Sequence, residues 1–175
     1  MRIGKYKKET APMFLPFIQY YERNVHPSIS YTRWVKKFSP ELMLRNNSNA
    51  HDPTFKEVVT FIKRTGINRK LYVPNKYVCR HYASKLHNAA ESAGIKCGVV
   101  YIKYLNDEIS HVLNCFDTRD AGLIFIDVTG SSKKLKCDSS QIARLERGEE
   151  ICYANLFENR FEKGKHKVDY YCITW

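Results

Sequence analysis

Between residues 75 and 104 the hydrophobic pattern changes period once, and that change limits what the chain can fold into. In "NKYVCRHYASKLHNAAESAGI" (75–95), Tyr82, Leu86, Ala89, Ala90 and Ala93 form a helical stripe that Gly94 ends. Directly afterwards the spacing becomes that of strands. "KCGVVYIKYL" is the first, "ISHVLNCF" the second after a turn at "DE", and "LIFIDVTG" the third after a turn at "DTRDAG". "VDYYCITW" ends the chain as a fourth. These runs carry apolar residues on both faces, as strands of a covered sheet do. Between the third and fourth, "DSSQIARLERG" reads as a short helix, with Ile142 and Leu145 inward and Gly148 as its stop.

Upstream, "HDPTFKEVVTFIKRTGI" reads as a helix with Asp52 as cap and Pro53 in its first position. Phe55, Val58, Val59 and Ile62 share one face, and Gly66 is the stop. The first fifty residues read as short amphipathic helices: Tyr31, Trp34, Val35 and Phe38 keep helical spacing, and Ser39-Pro40-Glu41 restarts a helix. The expectation is an α+β domain over residues 51–175, a helix packed on an antiparallel sheet, with an N-terminal helical extension over residues 1–50. The aromatic faces of that extension, with Phe17, Tyr20, Tyr21, Trp34 and Phe38, are placed either to extend the core or to cover a cleft.

At 175 residues the chain suffices for one full core, and a hydrophobic content of 43% excludes a disordered chain. The formal charge of +11 is spread in small knots rather than an arm. It suits a solvated basic surface and is compatible with nonspecific, salt-sensitive nucleic-acid binding. "APMFLPFIQYYER" is broken by Pro12 and Pro16 and lacks a small-residue cleavage site, so no secretory signal is expected. Nor does any run suit a bilayer span, and a cytoplasmic protein without a membrane partner is expected. The six cysteines read as free thiols of a reducing compartment, with Cys97, Cys115 and Cys172 in apolar strands. There is no C-x-x-C, and His81 and His87 lie on different sides of a helix, so no metal or other cofactor is expected.

Cys79 differs from the other thiols because it opens a helix. The unpaired N–H groups and the dipole there favour an anion, which lowers a thiol's pKa and can hold an oxyanion. A turn centred on Arg119 sets Cys115 opposite Leu123, Leu113 opposite Phe125 and His111 opposite Asp127. The carboxylate can then fix the imidazole tautomer and stabilise its protonated form. A one-residue slip would separate them. Cys, His and Asp in this order are the parts of a nucleophile, a base and its orienter.

The segments "YVCRHYASKLHNAAESAGIKCGVVYI", "SHVLNCF" and "LIFIDVTG" resemble the transglutaminase-like superfamily, within the papain-like cysteine-enzyme fold. The likeness is to small prokaryotic-type members and covers about residues 51–175. It implies that Cys79 is the nucleophile, His111 the base and Asp127 its orienter. It also points to the Cys79 N–H and a donor from Tyr72 or Asn75 for the oxyanion. The implied activity is thiol-dependent acyl transfer on amide bonds of a protein or peptide substrate, as a cysteine peptidase or amidase or as a protein transglutaminase. Three positions depart from the pattern: His81 replaces an aspartate, Ser110 a glycine, and Val112 a small or aromatic residue. The competing class is a non-catalytic basic module on the same fold, binding nucleic acid or an acidic protein.

Overall fold

The computed structural model describes residues 43–130, 140–156 and 161–175. Two helices, α1 (Phe55–Thr65) and α2 (Cys79–Ser92), precede six strands. These are β1 (Gly98–Tyr104), β2 (Ser110–Thr118), β3 (Gly122–Asp127), β4 (Gln141–Arg144), β5 (Glu150–Asn155) and β6 (Phe161–Thr174). Every neighbouring pair is antiparallel, and β6 returns to pair with β1, closing the sheet into a barrel. The chain is therefore α+β, as its change of period implies. The helices expected in residues 1–42, aromatic faces included, lie outside the described residues. Residues 43–47, into which the helix expected from Ser39 would run, are non-helical. Those residues form a strap along α2, with Arg45 N–H on Asn88 at 2.8 Å and Asn47 N–H on Glu91 at 2.9 Å.

Strand alternation divides the apolar residues between two cores. Val100, Ile102, Leu113, Cys115, Phe125, Ile151 and Ile173 fill the barrel. Val58, Ile62, Tyr82, Leu86, Phe116 and Ile126 join both helices to its outer wall. At about 1.5–3 kcal/mol for each fully buried large side chain, both layers contribute substantially. Among the described residues no helix is long and apolar enough to cross a membrane.

Three local expectations need correction. The cap of α1 is Thr54, not Asp52. Thr54 Oγ1 accepts the Glu57 N–H at 3.2 Å while Glu57 accepts the Thr54 N–H at 2.6 Å, a reciprocal pair Asp52 cannot form. Residues 141–144, expected in a helix, form β4, because Ala143 and Leu145 fill the barrel and Ile142 packs on the outer core. Such a short apolar run fits either period, and the open edges of β3 and β5 decide it. The β2–β3 turn is centred on Asp120 rather than Arg119, which pairs Cys115 with Phe125 and Thr118 with Gly122. Gly122 takes the left-handed conformation (φ 70°) of a three-residue hairpin, and Thr118 Oγ1 accepts the Ala121 N–H. The turn is also tied to α1, since Asp120 accepts the Phe55 N–H at 2.8 Å and Arg119 N–H reaches Pro53 O at 2.9 Å.

Where β1 enters the barrel, Gly98 faces Cys115. A Cβ on Gly98 would lie 2.6 Å from Cys115 Sγ and 3.2 Å from Ile173. Gly98→Ala should therefore cost about 1–3 kcal/mol in a denaturant melt. In the double variant Gly98→Ala/Cys115→Ala the new methyl occupies the space left by the sulfur, so the double-mutant cycle should show favourable coupling.

Candidate active site

One end of the barrel is polar. Alternation puts Tyr104 of β1, His111 of β2, Asp127 of β3 and Gln141 of β4 on the same inward face as Ile102, Leu113, Phe125 and Ala143. Tyr153 of β5 packs against that interior from the opposite wall.

His111 and Asp127 meet there, His111 Nε2 lying 2.6 Å from Asp127 Oδ2. The register that moved by two residues still unites them, because a shift of two preserves the face. Asp127 is nearly opposite Leu113 by extension of the ladder, so the histidine reaches it diagonally. The side chains are 18% and 10% exposed, and both charges need partners. Burial pushes the Asp127 carboxyl up. The charge and hydrogen bond of His111, with the Thr129 hydroxyl and N–H, outweigh this and hold it below the usual carboxylate range. The Thr129 N–H lies 2.8 Å from Asp127 Oδ1. Burial likewise disfavours the His111 cation, but Asp127, and then Cys79, raise it to about 10.

Cys79 is the first residue of α2 and half-buried. Its sulfur is hydrogen-bonded to His111 and accepts the backbone N–H groups of Val112 and Arg80. With Nε2 taken by Asp127, Nδ1 is the ring nitrogen left to the sulfur. The ladder between β2 and β3 begins only at Asn114, so the edge of β2 beside Val112 is open to the helix. Burial raises the Cys79 pKa, yet the hydrogen bond and charge of His111 and the two N–H groups bring it below the ordinary thiol value. Burial outweighs the single donor on each of Cys97 and Cys115, from Asn114 and Gly98, and pushes both thiols up; burial alone takes Cys172 to about 11. Cys79, Cys97, Cys115, Cys152 and Cys172 are all free.

The first turn of α2 shows why His81 can stand where an acid is expected. The Val78 N–H donates to His81 Nδ1 at 3.1 Å, the return bond that a capping-box acid would otherwise make. The ring is fixed further by stacking on Tyr77 at 5.2 Å. His87, further along, bonds Cys97 O at 2.6 Å and Asn46 at 3.0 Å. Among the described residues no group of three or more metal-binding side chains converges.

Sequence reasoning missed Tyr104 and Tyr153. Their hydroxyls are hydrogen-bonded to each other near Asp127 and Cys79. Burial keeps both un-ionised, raising Tyr104 to about 12 and Tyr153 further. Tyr104 could have been found by continuing the inward alternation Val100, Ile102, Tyr104 to the end of the strand. Tyr72 and Asn75, from either of which an oxyanion donor is expected, both lie in the segment that leads into α2. Tyr72 packs against the outer core, and Asn75 is exposed at a tight turn with φ 63°. The donors on the sulfur are the Arg80 and Val112 amides. Ser110 and Val112 are half-buried beside His111.

No family model, curated protein or solved structure matches this chain.

The linked charges set a pH dependence. The raised His111 pKa adds stability that is complete below its ordinary value of about 6.5 and is lost as pH rises through about 10. The lowered Asp127 pKa adds stability that is present above its ordinary value of 3.8 and is lost as pH falls below it. Asp127→Asn removes both, so its melting temperature should fall most relative to wild type between about pH 5 and 7. The same change should slow iodoacetamide labelling of Cys79 at pH 6 by about tenfold or more, because it deprives the thiolate of its imidazolium.

Proposed function

We propose that this chain is a thiol-dependent acyl-transfer enzyme of the transglutaminase-like kind, within the papain-like cysteine-enzyme fold, acting on amide bonds of a protein or peptide. The observation that carries the reading is the contact of the Cys79 sulfur, at the start of a helix, with an imidazole whose far nitrogen is held by a buried carboxylate at 2.6 Å. A basic binding module would need the surface charge. It would gain nothing from holding a thiol against a buried His–Asp pair that is costly to desolvate.

In the resting site the thiol proton resides on His111 and the sulfur is a thiolate. The sulfur attacks the amide carbonyl, forming the S–C bond and moving the carbonyl electron pair onto oxygen. The Cys79 N–H, at the start of α2, is a donor that this reading assigns to that charge. The intermediate collapses, the C–N bond breaks, and His111 gives its proton to the departing amine, leaving an acyl thioester on Cys79. His111, again neutral, takes a proton from an incoming water or amine, which displaces the sulfur and frees the acyl group. Water makes the enzyme a peptidase or amidase, and a lysine amine makes it a transglutaminase. Asp127 keeps its negative charge throughout, orienting the ring and stabilising each imidazolium.

The pH profile separates this from an inert thiol. Acyl transfer should rise as the Cys79 thiolate forms, below the ordinary thiol range, and fall as His111 loses its proton near about 10. Iodoacetamide labelling should share the acid limb but not the alkaline fall, since alkylation needs only the thiolate. His111→Ala should abolish fast labelling below pH 7 and reduce turnover by about 10³ or more. Labelling of Cys79 no faster than that of a free thiol at pH 6 would exclude the reading.

A further inference from the structure

The stretch of chain that leads into Cys79 and on along its helix is basic without compensation. Between Glu57 and Glu91 the chain has seven Lys or Arg residues and no Asp or Glu. Lys70, Lys76 and Arg80 in this stretch are exposed, and among the described residues none belongs to an ion pair. All three are tied to the first turn of α2. Arg80 follows Cys79 and gives its own N–H to the sulfur. Lys76 lies in the tight turn closed by Val73 and Tyr77, two residues before the cap of α2. The Lys70 ammonium sits 3.5 Å from the centroid of the Tyr77 ring. That ring stacks on His81 and meets Tyr82 edge-on, which fixes the cation beside the turn that presents the sulfur.

The neighbouring elements offer little opposing charge. In the turn between β1 and β2, Asp107 is held by His166 at 2.7 Å, and Glu108 is exposed. Asp127 lies inside the barrel on His111. Three exposed cations and the positive end of a helix thus belong to the segment that presents a half-buried nucleophile, an arrangement that favours the arrival of an anionic group. A solvated lysine face kept for solubility has no reason to crowd the one helix end that carries the reactive thiol.

Resting on the acyl-transfer reading, we propose that the acyl donor is an acidic polypeptide segment. Its Asp or Glu side chains flank the scissile amide, and Lys70, Lys76 and Arg80 are the groups that select it. The cations lie outside the reacting atoms and act on capture. They should raise the second-order rate for an acidic donor by about tenfold at low salt, an advantage that screening removes when the Debye length falls well below 10 Å.

Two probes on the full chain test this. The first compares alkylation of Cys79 by anionic iodoacetate and by neutral iodoacetamide, a ratio that needs no turnover. The ratio should fall by about threefold or more from about 0.02 M to 0.5 M salt, and by a similar factor at low salt in Lys76→Gln/Arg80→Gln. The second measures kcat/KM for matched peptides carrying Glu or Gln beside the scissile amide. The Glu peptide should lead by about tenfold at low salt, and the double variant should erase most of that lead. A fast thiolate below pH 7 with an alkylation ratio indifferent to salt and to the double variant, and with equal peptide rates, overturns the acidic donor while leaving the enzyme standing. Equal peptide rates together with protection of Cys79 by a short DNA oligonucleotide at low salt would assign the rim to nucleic acid and also overturn it. Absence of the fast thiolate removes both readings.

Discussion

The structure depends on keeping a charged carboxylate inside the end of a barrel. Asp127 is buried, so its charge requires partners that water would otherwise provide. His111 supplies one from β2, and the Thr129 N–H supplies another from the chain just beyond β3. Both partners require the strands to keep their faces. A slip of one residue would drive Asp127 among the outer apolar residues and leave His111 in the barrel unpaired. The ion pair therefore helps to specify the register, and the register presents a protonated imidazole at the rim. The thiol's acidity follows from that arrangement.

The sulfur reaches the ring because α2 is registered on β2 independently of the site. Asn114, on the outer face of β2 and fully buried, donates from Nδ2 to Ala83 O of α2 at 3.0 Å and to Gly98 O of β1 at 3.2 Å. Its Oδ1 has no partner among the described residues, a cost of about 1–3 kcal/mol that an apolar residue would avoid. An apolar residue would also lose the pin between helix and barrel. Beneath it, Phe116 and Ile126 pack with Tyr82 and Leu86 and set the height of the helix over the wall. Two layers built on opposite faces of one strand thus converge, the interior holding His111 and the exterior holding Cys79.

What was legible in the sequence follows the range of the forces involved. Local signals carried well: the period change after Gly94, the stripe of α2 and the outward-inward alternation of β1 to β3. The pairing of His111 with Asp127 survived a misplaced turn because parity, not the individual partner, decides which face a side chain takes. The turn itself was misread because Phe55, Pro53 and Glu57, distant in sequence, hold Asp120 and Arg119. Gly148 does mark a break, with φ 82°, but in the turn between β4 and β5 rather than after a helix. The first half of β6 is mostly polar and charged, and its pairing with β5 across Cys152 and Lys163 is a tertiary fact. Closure of β6 on β1 joins Val99 to Thr174, a contact that leaves no local mark in either segment. The hydroxyl pair of Tyr104 and Tyr153 needs that closure to exist, which is why inspection of either strand could not reveal it.

Burial alone cannot acidify a thiol. It raises the pKa of Cys97, Cys115 and Cys172, and it acts in the same direction on Cys79. The net effect reverses at Cys79 because donors converge on the sulfur from two different elements, α2 and β2, together with the His111 ring. Partial burial then becomes useful, since each of those interactions is stronger where water is scarce. A helix end placed in open solvent would supply donors with little strength. A thiol inside the barrel, such as Cys115, has the low dielectric and one donor but no imidazole beside it. The open edge of β2 beside the first turn of α2 is where both conditions meet, and it lies where the barrel's apolar filling gives way to its polar layer.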